Sequence, residues 1–242
     1  MDLSLQFKCR ECAMFFREHH PTCPHCLAQG QSLPVPHRSR ADIDSQPGVA
    51  SARDIARMTW AEVKQYACPG LVLGVGALLH MEGGPGAGKS TLACRLADSV
   101  QGPAILVSAE EAIGPSLASR LKRCAIKKPE FTVVTKASVD IVVEIAKSVR
   151  AMVLVIDSIQ EAVWRADDLR HVLEIVPSLA LLIAVLQANK AGQPLGRNEF
   201  AHEADVRIHC EAMRWRLIKS RYQPISDVGG MVLPVRDETP RE

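Results

Sequence analysis

Eight consecutive residues, Gly83-Gly84-Pro85-Gly86-Ala87-Gly88-Lys89-Ser90, carry the strongest chemical signal in the chain. Their spacing is G-x-x-x-x-G-K-[ST]. In that pattern the glycines let a loop curl until its backbone N–H groups converge on phosphate oxygens; the lysine reaches the β- and γ-phosphates, and the serine hydroxyl ligates Mg2+. Thr91, next in line, completes the nucleotide-binding set. A glycine-rich turn that merely joins a strand to a helix is the bland reading. The flanks argue against it: an apolar run at 77–81 precedes the loop, and 90–97 follow at helical spacing, which is the context this chemistry needs.

Two further sets could do chemistry. Cys9, Cys12, Cys23 and Cys26 form a CxxC…CxxC pattern within the first 26 residues, spaced to surround one tetrahedral Zn2+. Four thiolates leave no open position, so such a site is structural, and in so small a segment metal binding is part of folding. His19, His20 and His25 leave open that a histidine replaces one cysteine; solvated loop is their plainer role. The scattered Cys68, Cys94, Cys124 and Cys210 read as small buried hydrophobes. The other set consists of polar residues that end apolar runs: Glu110 and Glu111 after 104–107, Asp157 after 152–156, and Gln187 after 180–186. Asp157 suits Mg2+ opposite Ser90, either acidic residue could activate an attacking water, and Gln187 could sense a γ-phosphate. Acid at a helix start and an amide capping a strand are the ordinary alternatives.

The elements that must position these groups follow from periodicity. Continuous apolar runs at 104–107, 152–156 and 180–186 predict parallel strands covered on both faces, with ligands held outside their carboxyl ends. A short strand at 131–134 and helices over 113–125, after Ser138, and from about Asp167 alternate with them. The spacing over 53–66 also predicts a helix. The tail differs: 204–210, 214–220 and 230–235 predict successive strands. Regular alternation in the second would put Trp215, Leu217, Lys219 and Arg221 on one face and Arg214 and Arg216 on the other. Five basic residues between Arg207 and Arg221 form the best local patch. The organisation expected is a zinc-binding motif at 1–28, a linker at 29–53, and an ATPase domain at 54–242.

Composition bounds the rest. With 47% hydrophobic residues the chain can bury a substantial core, and a net charge of +2 is too small for a general polyanion binder, so any nucleic-acid site is local. No apolar run approaches the ~20 residues of a membrane span, and the amino terminus has no signal-peptide shape. The expectation is a cytoplasmic protein with no membrane partner.

Taken together, these residues resemble the RadA/Sms family of bacterial DNA-repair ATPases, within the RecA-like group. The likeness rests on the four-cysteine motif; on 83–91; on Val107-Ser108-Ala109-Glu110-Glu111 beside the family's V-S-G-E-E; and on Val155-Ile156-Asp157-Ser158-Ile159-Gln160 beside V-I-D-S-I-Q. It continues through Lys190 and Gly192 (T-K-E-G), His202 and Asp205 (E-H-x-V-D), and Arg216 with Lys219-Ser220-Arg221-Tyr222 (R-x-x-K-N-R-F-G). Departures are Ala13 for Gly, Gln29 for Trp, and Ser220 and Gln223 for the Asn and Gly of K-N-R-F-G. The chain also ends at Glu242, which implies a short form without the family's Lon-protease-like carboxyl-terminal domain.

The resemblance implies an α/β, RecA-like P-loop NTPase with a mostly parallel central sheet plus an amino-terminal four-cysteine zinc ribbon or knuckle. It implies ATP, Mg2+ and Zn2+ as cofactors, and Lys89, Glu110 and Asp157 in catalysis. Lys219 and Arg221 would reach the nucleotide of a neighbouring subunit in a homo-oligomeric ring, such as a hexamer. The implied activity is DNA-stimulated ATP hydrolysis on single-stranded DNA in recombination and repair, alongside recombination proteins. The loop at 191–199, with Arg197 and Asn198, is the candidate DNA contact. Alternatives are a KaiC-like or regulatory nucleotide switch acting through protein partners, and an accessory subunit of another RecA-like ring.

Overall fold

The computed structural model describes residues 59–187, 198–225 and 228–232, with Asn198 by its backbone only, together with the backbone of three short strands near the amino terminus and positions 52 and 55. The chain divides into two compact units, Met1–Thr59 and Trp60–Glu242. In the first, β1 (Gln6–Cys9) pairs antiparallel with β2 (Phe15–Phe16) and β3 (Ser32–Val35). The third strand lies in the stretch read as linker. Its pairing partner is in another part of the chain, so no local period announces it.

In the second unit β4 (Ala77–Gly83) leads into α1 (Lys89–Ser99), β5 (Ala104–Ser108), α2 (Pro115–Cys124), β6 (Phe131–Thr135) and α3 (Val139–Ser148). There follow β7 (Val153–Asp157), the short α4 (Ile159–Ala162), α5 (Ala166–Ile175), β8 (Leu181–Gln187), α6 (Asn198–Glu203), β9 (Val206–Glu211), β10 (Arg214–Ser220) and β11 (Gly229–Met231). The strands form one sheet in the order β11-β10-β9-β4-β8-β7-β5-β6. Six are parallel, and β10 and β11 extend the edge antiparallel.

The apolar runs explain the sheet. Successive side chains of a strand point to opposite faces, and here both faces are covered. Leu79, Met81, Leu106, Val155 and Ile183 pack with Leu92 and Leu96 of α1 and Leu117 of α2. Their neighbours Leu78, Ile105, Leu154, Ile156 and Leu182 pack on the other face with Val142 and Ala146 of α3 and Leu169 and Val172 of α5. Helix ends follow local chemistry. Pro115 opens α2, where its missing N–H costs nothing, and Lys122 and Arg123 sit in its last turn against the negative end of the dipole. Asp168 accepts from the Arg165 N–H at 2.7 Å and caps α5. Ser138 precedes α3 as expected, yet its hydroxyl makes no capping bond.

Two expectations need correction. Residues 59–66 are not helical; Val63 N–H donates to Leu73 O at 2.8 Å and Val75 N–H to Ala61 O at 2.9 Å, so tertiary pairing overrides the helical spacing. The alternation in β10 also breaks. Leu217 pairs with Ile208 but Lys219 pairs with Arg207, so one extra residue is inserted between them. That bulge moves Lys219 from the buried face of Trp215 and Leu217 to the face of Arg214 and Arg216.

The departures from the K-N-R-F-G pattern have structural roles. Ser220 Oγ accepts from the N–H groups of Tyr222 (3.0 Å) and Gln223 (3.2 Å), a side-chain turn bond that holds the chain after β10. Gln223 Oε1 accepts from Val72 N–H at 2.5 Å while its Nε2 donates to Gly70 O at 3.1 Å. Its amide thus clamps the segment before β4 to the turn after β10.

Candidate functional site

The glycine-rich loop leaves the carboxyl end of β4, in the middle of the sheet. Gly83 has φ +152°, and a Cβ there would lie 2.1 Å from Cys210 O, so only glycine lets β9 approach β4 at this point. Ala87 N–H turns back to Gly84 O at 3.3 Å, and Leu92 N–H donates to Gly88 O at 2.9 Å, which starts α1 directly behind the loop. Gly84 and Gly86 have open space where a Cβ would stand, and Pro85 and Gly86 are exposed between Gly84 and the buried Ala87. Thr91 sits in the first turn of α1, its carbonyl 3.9 Å from Cys124 Sγ of α2.

Lys89 is buried, and its Nζ donates to Gly83 O and Gly84 O, both at 2.8 Å. Burial holds its pKa below the ordinary lysine value, opposed by Cys210, Asp157 and Glu110. Ser90 Oγ donates to Asp157 Oδ1 at 3.0 Å, which joins the start of α1 to the end of β7. Asp157 is 2% exposed. Burial raises its carboxyl pKa, while Arg120 and the Ser90 hydroxyl pull it back down.

Sheet register places the acidic groups. Ser108 is level with Asp157 across β5 and β7, Ala109 N–H donates to Asp157 O at 2.8 Å, and Gly83 is level with Gln187 across β4 and β8. The chain after β5 therefore turns over the end of β7. Glu110 is exposed there and accepts a hydrogen bond at Oε1 from Gln187 Nε2. Glu111 is held differently: its Oε1 accepts from Ser116 Oγ at 2.8 Å, and its Oε2 lies 3.1 Å from Arg120 Nη2, an ion pair without hydrogen-bond alignment. Two neighbouring acids that residue type and spacing left equivalent, and of which the resemblance preferred Glu110, thus differ. Glu111 is tied into the protein, and Glu110 is presented outward.

Lys89, Ser90, Glu110, Asp157 and Gln187 come together at this edge. Lys219 and Arg221 do not. They lie by the amino end of β9: Lys219 is level with Arg207 and Arg221 N–H donates to Asp205 O, three and five residues from Cys210, roughly 10 and 17 Å at strand rise. Lys219 Nζ donates to Ala201 O and His202 O, both at 3.0 Å, and Arg221 Nη1 to Asp205 Oδ1 at 2.9 Å. In this chain they secure the end of α6. The side chains of Cys9, Cys12, Cys23 and Cys26, and the loop 188–197 with Arg197, lie outside the described residues, as does the side chain of Asn198. Among the described residues, no group of three or more His, Cys, Asp or Glu is placed to hold a metal. Ser90 with Asp157 still suits Mg2+, which takes one or two protein ligands and fills its shell with phosphates and water.

Two residues of the site escaped sequence reasoning. Arg120 Nη1 donates to Asp157 Oδ2 inside the protein. Its signal was a charge on the buried stripe Leu117, Arg120, Cys124 of α2. Gln160 Oε1 accepts from Gln187 N–H at 3.3 Å, steadying the end of β8; the V-I-D-S-I-Q likeness contained it but gave it no role.

No family model matches the chain. A DNA repair protein RadA from Pseudomonas aeruginosa is 25% identical over 260 aligned positions, which cover 92% of this chain. The chain is RadA-like in sequence. It spans 56% of that relative's length. Among solved structures, a KaiC-like protein from Pyrococcus horikoshii aligns with 69% of this chain and 93% of its own, at 19% identity and a TM-score of 0.49. No described helix is long and apolar enough to cross a membrane.

Proposed function

We propose that the protein is a RecA-like, Mg2+-dependent ATPase that acts on single-stranded DNA in recombination or repair. One observation carries the chemical half: a lysine and a serine of α1, an acid each from β7 and the turn after β5, and an amide of β8 meet around one glycine-rich loop at the carboxyl edge of a parallel sheet. The RadA likeness along 92% of the chain supports the DNA half.

Each group has a role on this reading. Backbone N–H groups of Gly86, Gly88 and Lys89 and the amino end of α1 hold the phosphates, and Lys89 leaves the loop carbonyls to neutralise the β- and γ-oxygens. Ser90 and Asp157 hold Mg2+, which when bound offsets charge on the transferring phosphoryl group. Glu110 orients the attacking water and accepts its proton, and Gln187 holds Glu110 in place from β8. Cys9, Cys12, Cys23 and Cys26 hold a structural Zn2+. Lys219 and Arg221 serve the adjoining subunit of a ring once released from α6, and Arg197 and Asn198 touch DNA.

The test is ATP turnover by the purified chain with and without single-stranded DNA, beside Lys89→Ala. The reading expects DNA to raise turnover and Lys89→Ala to abolish it. Hydrolysis that is indifferent to DNA would remove the DNA half and favour a nucleotide switch.

A further inference from the structure

Arg120 stands where a buried cation is hard to justify by stability. Its side chain is 10% exposed, its partner Asp157 2%. Exchanging a buried ion pair for apolar residues is often neutral or stabilising, so the pairing calls for another reason. The bonds supply one. Asp157 has two oxygens: Oδ1 accepts from Ser90 at the start of α1, and Oδ2 accepts from Arg120 of α2. The second nitrogen of the same guanidinium lies 3.1 Å from Glu111 Oε2 and donates weakly to Ser108 Oγ at 3.4 Å, while Ser108 Oγ donates to Glu111 O at 3.0 Å. One planar fork therefore spans the end of β7 and the turn after β5. It fixes the carboxylate that faces Ser90 and the residue next to Glu110.

We infer that Arg120 is a positioning residue: it holds Asp157 in the orientation that serves the metal and, through Glu111, fixes the turn that presents Glu110. This rests on the nucleotide reading above and assigns a part to a residue outside the glycine-rich loop and the two acidic strand ends. Without the fork, the Asp157 carboxylate keeps only Ser90 and can rotate away from the metal position. The turn at 109–111 keeps the Ser116 and Ser108 bonds, the Ala109 N–H bond to Asp157 O and the Gln187 bond to Glu110, but loses its tie to the guanidinium of α2. Lysine at 120 would keep the charge but could not span both acids, because an ammonium lacks the planar two-pronged geometry.

The experiment measures affinity for a fluorescent ATP analogue in Mg2+ and in EDTA, with steady-state kcat and KM, for wild type, Arg120→Met, Arg120→Lys and Glu111→Gln. Thermal melting confirms that each is folded. In Arg120→Met the enhancement of affinity by Mg2+ falls about tenfold or more, the range for losing a group that orients a metal ligand, while the affinity in EDTA changes less than about twofold. Arg120→Lys recovers part of the enhancement. Glu111→Gln keeps the enhancement and lowers kcat, since it cuts only the branch to Glu110. A folded Arg120→Met with wild-type Mg2+ enhancement overturns the inference, and so does an equal loss in Mg2+ and in EDTA, which would mark general damage to the loop. Should Arg120→Met fail to fold, Arg120→Lys decides by the same comparison. A wild type that binds no nucleotide removes the underlying reading and the inference with it; one that binds nucleotide leaves the first standing whatever the variants do.

Discussion

His80 makes the stability of this protein depend on pH in a way that can be calculated. It occupies the middle of β4 at 1% exposure, with Phe200 of α6 5.9 Å from its ring and no hydrogen-bond partner for Nε2 among the described residues. Burial, reinforced by Arg207, Lys219 and Arg170 and opposed by Asp205, lowers its pKa to about 3. The folded protein thus keeps His80 neutral, whereas the unfolded chain protonates it near pH 6.5. Above pH 6.5 both states are neutral and the residue contributes no pH dependence. As pH falls from 6.5 towards 3 only the unfolded chain takes up the proton, so stability is lost at about 1.4 kcal/mol per pH unit. Between pH 7 and pH 5 the loss from this residue is about 2 kcal/mol. Urea unfolding of wild type and His80→Leu at both pH values isolates it, because the other titrating groups cancel in the difference. The wild type should lose about 2 kcal/mol more than the variant over that interval. Identical losses in the two proteins would refute the reasoning, since they would mean that His80 takes up its proton equally in the folded state.

Two further outcomes follow from local geometry. The hairpin between β9 and β10 turns on Ala212 and Met213, with φ of 46° and 60°, so Ala212→Gly should relieve left-handed strain. After subtraction of glycine's extra freedom in the unfolded chain, the gain is about 0.5 kcal/mol, seen as a rise in Tm of roughly 1–2 °C; a fall in Tm would refute it. Cys68 and Cys210 are fully buried, and burial pushes both thiols up to about 12. Iodoacetamide at pH 8 should therefore leave both unmodified in the native protein and label both in urea, as read by site-resolved mass spectrometry. Native labelling at the denatured rate would contradict the burial.

Much of the architecture was legible because its physics is local. Apolar runs such as 152–156 and 180–186 announce parallel strands by needing cover on both faces, and the helices around Leu92, Leu117 and Val142 show their own period. What failed depended on partners distant in the chain. Residues 59–66 took their shape from pairing with 73–75, β3 from pairing with β1, and Lys219 its face from a bulge opposite Arg207. The RadA likeness could be recognised from motif order alone, and the 25% identity along 92% of the chain agrees with it.

The same division runs through the site. Spacing alone determined that Gly83 to Ser90 would form a tight loop between a strand and a helix and that Asp157 would end a buried strand, because loop curvature and strand termini are properties of neighbouring residues. The resemblance preferred Glu110, and only the tertiary structure shows how differently the two acids are held. Glu110 and Glu111 are adjacent and chemically alike, and what separates them is contact: α2 carries Arg120 and Ser116 to one, while β8 carries Gln187 to the other. A residue's chemistry can be read from its type, but its freedom to act depends on what the fold packs against it.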